Sequence, residues 1–165
     1  MKSFFIKQKF WDIKDSLNVY DVNEEPMYAI KGSLDPIRKT YTLLDGEEQV
    51  AVIDRDKSLV PSFTVTIGQQ YSFTVQRKLA SIKPRYIVEG EGIEVTGDFL
   101  GMDFKIIHKG NEIGAVHKEW IALTDTYQID VYEDMWEVVI IALVIAIDRV
   151  KEERNMITSI FDFLP

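Results

Sequence analysis

From Lys2 to Tyr132 polar and apolar residues alternate along this chain, and then the alternation stops. Tyr127, Ile129 and Val131 share one face of an extended segment, while Gln128 and Asp130 share the other. Phe73 and Val75 alternate with Ser72, Thr74 and Gln76 in the same way. Such segments bury one face and wet the other, the habit of antiparallel strands. Turn residues punctuate them at Asn23-Glu24-Glu25-Pro26, Asp45-Gly46, Gly68-Gln69-Gln70, Gly90-Glu91-Gly92 and Lys109-Gly110-Asn111. The pattern predicts about twelve strands, at a spacing typical of sandwiches and barrels. They are 2–10, 17–22, 27–32, 40–44, 49–54, 62–67, 71–77, 85–88, 93–96, 104–108, 112–118 and 126–132.

Between Met135 and Ile147 every residue but Glu137 is apolar, and Asp148 closes the run. Its many β-branched residues favour strand. Its length favours helix, since no Gly, Pro or Asn interrupts 134–154 and strands of that length are rare. Asp134 followed by Glu137 resembles a capping box. Arg149, Lys151 and Arg154 suit a helix C-terminus. The prediction is a helix over about 134–153. A helix apolar on all sides must be enclosed, and a barrel of eleven or so strands has room for one. The fold class expected is therefore mainly β, a closed antiparallel barrel of about twelve strands around a central C-terminal helix. One domain spans 1–154, followed by a tail over 155–165 containing Ile157, Ile160, Phe161, Phe163 and Leu164. As a membrane span the run is too short, roughly 20 Å against the roughly 30 Å a bilayer core requires.

Charge narrows the partners. The net charge is -8 and the pI near 4.8, the wrong sign for nucleic-acid binding, which needs a basic footprint. There is no cysteine, which removes disulfides, thiol nucleophiles and cysteine-based zinc sites. The expected compartment is the cytoplasm, and the start Met1-Lys2-Ser3-Phe4-Phe5-Ile6-Lys7 has too short an apolar stretch for a signal peptide.

Candidate chemistry is sparse. Gly90-Glu91-Gly92 lacks a third glycine and a following helix, so it reads as a turn and not a phosphate loop. The two histidines, His108 and His117, fall roughly 13 Å apart if His108 pairs near Ile113 and His117 near Phe104, too far to share a metal. No Gly-x-Ser-x-Gly elbow marks a nucleophile. Asp54 and Asp56 read as a solvated edge beside Arg55 and Lys57. Asp148 is expected to mark where the helix leaves the barrel and meets water. A second possibility is a buried acid at the barrel mouth. One basic cluster stands out: Arg77, Lys78, Lys83 and Arg85 around Pro84, which reads as a solvated loop between strands or, alternatively, as a contact for an anionic head group or phosphate.

Several segments stand in a telling order along the chain: Phe5-Ile6-Lys7-Gln8-Lys9, Val19-Tyr20-Asp21, Val95-Thr96-Gly97-Asp98-Phe99, Val116-His117-Lys118-Glu119-Trp120, Asp125-Thr126-Tyr127 and Val144-Ile145-Ala146-Ile147-Asp148. Together they resemble the LURP-one-related family, whose fold is that of the tubby C-terminal domain and the phospholipid scramblases. The small size is similar to that of bacterial members. The resemblance implies a twelve-stranded barrel threaded by a hydrophobic helix. It implies little about activity, although tubby-like domains bind phosphoinositides and tether to membranes. The expectation taken from this is a non-enzymatic domain for a phospholipid or other anionic or amphiphilic ligand at a membrane surface, with no metal or cofactor. Phosphoinositide-binding residues of tubby have no assigned counterparts here, and the negative net charge departs from a strong anionic-lipid binder. The alternative is a protein–protein scaffold or oligomerising module that uses the apolar tail.

Overall fold

The structure, a computed structural model, describes residues 1–7, 17–33, 39–78, 85–99, 101–121 and 124–162. Its strands are β1 (Lys2–Lys7), β2 (Leu17–Tyr20), β3 (Pro26–Gly32), β4 (Thr40–Asp45), β5 (Glu48–Arg55) and β6 (Ser62–Ile67). They continue with β7 (Tyr71–Lys78), β8 (Arg85–Glu89), β9 (Ile93–Asp98), β10 (Asp103–His108), β11 (Asn111–Ile121) and β12 (Thr124–Val131). One turn of 3-10 helix, Asp134–Trp136, leads into α1 (Glu137–Asp162). The strands form one 12-stranded sheet in the order β8-β7-β6-β5-β4-β3-β2-β1-β12-β11-β10-β9. Every neighbouring pair is antiparallel.

Antiparallel pairing throughout sends the start of every odd strand to one end of the barrel. We call it the upper mouth, because α1 begins there: Lys2 of β1 and Tyr28 of β3 both reach Glu137. The lower mouth is where Tyr127, at the start of β12, meets Asp148.

Inward positions alternate as the sequence requires. Phe73 and Val75 in β7, and Tyr127, Ile129 and Val131 in β12, are buried against the helix. Residues Val139 to Ile147 of α1 are at most 2% exposed. Where the helix passes β11, only glycine fits. A Cβ on Gly114 would lie 2.5 Å from the Asp130 carbonyl oxygen and 2.8 Å from Ile140 Cδ1. The fully apolar helix is therefore a core sheathed by its own sheet, and its side chains fill the interior.

Four expectations need correction. First, the twelve-stranded antiparallel barrel is as expected but nearly closed and not fully closed: β8 and β9 follow each other in sequence, yet they are the two ends of the sheet, and among the described residues no ladder joins them. Gly90, Glu91 and Gly92 between them have φ of 114, 56 and 65. Three left-handed residues in a row turn the chain without setting up a hairpin register. Gly90 is also pressed on β7, where a Cβ would come within 2.8 Å of the Ser72 carbonyl oxygen. Second, the helix does not span 134–153: it starts at Glu137 and runs to Asp162, so most of the expected tail is helical backbone. Nothing from Arg149 to Asp162 breaks a helix, which is why it continues past the barrel. Third, there is no capping box: Glu137 turns its carboxylate to Tyr28 and Lys2 instead. Fourth, the β10–β11 turn is Lys109-Gly110 alone, with φ of 47 and 86 at its two residues. A bulge at Ile106/Ile107 then pairs His108 with Asn111 and Phe104 with Val116, shifting both expected histidine pairings. The expected strand residues 8–10 lie outside the described residues.

Candidate functional site

The two mouths differ in charge because of what their connections carry. The upper mouth is built from tight turns rich in acids: Asp21, Glu24 and Glu25; Asp45, Glu47 and Glu48; Glu89 and Glu91; then Glu133 and Asp134. Lys109 sits among them, and Lys2 bridges Asp134 and Glu137 at 3.3 and 2.9 Å. Hydrogen bonds to Glu137, then to Asp134, hold the Lys2 ammonium above its ordinary pKa. The Tyr28 hydroxyl donates to Glu137 at 2.5 Å. Burial first, and that bond second, push its pKa well up. Trp136 closes this mouth against Tyr71 and His108, whose ring centroids lie 5.9 and 4.4 Å away.

The lower mouth mixes cations with its carboxylates. Asp148 is fully buried, which corrects the expectation that it meets water. It accepts a hydrogen bond from Arg149 Nη2 at 2.6 Å and another from Tyr127 Oη at 3.1 Å. Arg149 also lies over the Tyr41 ring, 5.6 Å from its centroid. Burial opposes the Arg149 charge, but Asp148 and, after it, Tyr41 together more than offset it, and the pKa is raised. Lys151 reaches Tyr127 Oη at 3.5 Å. A buried charge is tolerable only when paired and hydrogen-bonded, and this cluster meets that condition. Sequence order alone could not reveal it, because Tyr41 and Tyr127 come from opposite parts of the barrel.

The basic cluster predicted from sequence also falls at this mouth. Lys78 and Arg85 are Cα partners across β7 and β8, and Arg77 is paired with Tyr86. Lys83 lies outside the described residues. Arg77 follows Phe73 and Val75 on the inward register. Its Nε is buried and has no hydrogen-bond partner among the described residues. The Arg77 backbone N–H donates to Pro61 O at 3.2 Å, which sets the β5–β6 turn beside the cluster.

Other candidates separate. His108 packs against Trp136 with the rings tilted by 47°, whereas His117 lies on the outer wall, 3.4 Å from Asp103 and 3.5 Å from Asp130. Asp54 accepts from Thr40, and Asp56 from Ser62 and Thr64, so the pair serves strand and turn structure. Among the described residues no three acidic or histidine groups are placed to hold a metal ion. Where β1 and β2 share, among the described residues, only the Phe5–Tyr20 pairing, an outer cleft of about 440 Å³ opens, lined by Phe5, Lys7, Tyr20 and Thr126 among others. Among the described residues no helix is long and apolar enough to cross a membrane.

The model of the LURP-one-related family matches residues 2–148, nearly the whole barrel and its core helix. The chain belongs to the LURP-one-related family. It is 25% identical over 152 residues to the uncharacterized protein YxjI of Bacillus subtilis (strain 168), covering 91% of this chain and 94% of that one. The X-ray structure of a protein from Arabidopsis thaliana is similar in fold, with a TM-score of 0.57 at 15% identity over 89% of this chain and 92% of the other. The LURP-one-related barrel is thus the frame on which both mouths are built.

Proposed function

We propose that this LURP-one-related barrel is a non-catalytic binding domain that takes an anionic group, a lipid head group at a membrane surface, at its lower mouth. Arg77, Lys78 and Arg85 supply the charge, with Lys83 between them in sequence. The observation that carries the reading is the Arg77 Nε–H, buried without an acceptor among the described residues. A buried donor left unmade costs roughly 1–3 kcal/mol, so a ligand oxygen that accepts it binds with that much in its favour. With the helix filling the interior, ligands meet the wall or the mouths, not a central cavity. A cytoplasmic location accords with the lack of cysteine. The test is flotation with liposomes of increasing phosphatidylserine content. Binding should rise with anionic lipid, weaken with salt and fall on joint replacement of Arg77, Lys78 and Arg85 by Ala. No flotation at low salt rejects the reading.

A second reading has its own support. Helical backbone continues to Asp162, beyond Lys151, the last buried side chain described. Ile157, Ile160 and Phe161 recur there at helical spacing, as a self-association or scaffold segment requires. A chain truncated after Asn155 that changes mass by light scattering would favour it.

A further inference from the structure

We infer that the β5–β6 turn, with Leu59 at its tip, is a preformed wedge that enters the apolar layer of an anionic bilayer while the neighbouring basic residues hold the head groups. The inference rests on the lipid reading of the lower mouth.

The turn Asp56–Pro61 projects a leucine that is 102% exposed. A lone exposed leucine is ordinary. This one is unusual in how firmly its turn is held. Arg55 donates through Nη1 to the Asp56 carbonyl and through Nη2 to the Ser58 carbonyl, the latter at 3.1 Å. Arg55 Nε is itself fixed by Glu153 of the central helix at 2.9 Å. The Asp56 carboxylate accepts from Ser62 and Thr64 at 2.6 and 2.7 Å. The Ser58 N–H donates to Asp56 O at 2.9 Å, and the Val60 N–H to Ser58 Oγ at 3.3 Å. The core helix thus braces the turn through one ion pair. A braced turn loses little conformational freedom when it inserts, so the gain from burying leucine is kept.

Charge selects the occupant. Pro61 bonds the backbone of Arg77, which brings the leucine turn next to the strand pair carrying Lys78 and Arg85. Lys57 is exposed on the turn itself. The dense carboxylates lie at the opposite mouth, where an anionic surface repels them. An apolar tip with exposed Lys57 beside it, and with Asp56 of the same turn tied to Ser62 and Thr64, fits an anionic bilayer.

The chain has no cysteine, so single cysteines take a label at one place. Leu59→Cys, and Gln69→Cys at the upper mouth as control, would each carry an environment-sensitive fluorophore. Both would be mixed with phosphatidylserine/phosphatidylcholine vesicles and with pure phosphatidylcholine vesicles. We expect a blue shift at position 59 with the anionic vesicles alone, and none at position 69. Leu59→Asp should weaken flotation roughly tenfold or more with an unchanged thermal melt. Flotation without a shift at position 59, or with equal shifts at both positions, overturns the wedge and leaves the lipid reading standing. A shift at position 59 that grows with protein concentration in the absence of vesicles overturns it in favour of self-association. No flotation overturns both.

Discussion

The two ends of the enclosed stretch of the central helix are both held by buried carboxylates, and they are held differently. At the upper mouth Glu137 is shared between a neutral phenol, Tyr28, and a flexible surface ammonium, Lys2, half exposed at 50%. At the lower mouth Asp148 is sealed against Arg149 and Tyr127, with side-chain exposures of 0% and 6% for the ion pair. The difference follows from what surrounds each end. The upper end enters through turns already crowded with carboxylates, so Glu137 is neutralised by donors drawn from the first and third strands. The lower end continues as helix, so the charge must be balanced inside the barrel. An exposed partner can be replaced by water, and a sealed one cannot.

Breaking the lower pair should therefore have the largest effect. Asp148→Ala strands the Arg149 charge in the core and should cost about 3–5 kcal/mol in urea unfolding. The double replacement Asp148→Leu with Arg149→Leu should recover most of that loss, because no unpaired charge remains. A double variant no more stable than Asp148→Ala would mean that the pair matters for its hydrogen bonds and packing, not its charge.

The upper mouth should respond less. Tyr28→Phe removes one donor from Glu137 and leaves Lys2 in place, and about 1–2 kcal/mol is expected by the same measurement. A loss equal to that of Asp148→Ala would erase the contrast between the mouths.

The smallest effect is read from pH. On the outer wall near the upper mouth, Glu112 accepts from Tyr132 at 2.7 Å and from Lys105 at 3.2 Å. The Tyr132 bond first, and the Lys105 bond second, hold its pKa below the ordinary glutamate value. The same bond pushes the Tyr132 phenol up to about 12. A carboxylate with a depressed folded pKa lends stability above its unfolded pKa and loses it as pH falls through the folded one. Tyr132→Phe should flatten the stability profile of the protein below about pH 5 and leave it nearly unchanged near neutrality. An unchanged acid limb would show that the exposed pair contributes nothing.

Much of this architecture was legible because its causes are local. Gly68-Gln69-Gln70 set a turn whose flanking strands fall at 62–67 and 71–78. The alternation of Phe73 and Val75 with polar neighbours fixed which face goes inward. The unbroken apolar run from Val138 to Ile147 could only be a core, and the strand count left room for it. The candidate site was half legible. Arg77, Lys78 and Arg85 were visible as a basic stretch, but the hydrogen bond from the Arg77 backbone to Pro61, two residues past Leu59, was not. Likewise Glu137 looked like a cap, because a capping box is a local motif and Tyr28 is distant in sequence.

What the sequence determined alone was the number of strands, the direction each turn sends them, and the presence of an enclosed helix. These follow from side-chain periodicity and turn stereochemistry, which act over a few residues. Tertiary structure decided the absence of a β8–β9 ladder among the described residues, the burial of Asp148, and the bracing of the leucine turn by Glu153. Each of these depends on which distant groups meet, and that is settled only when the whole barrel closes around its helix.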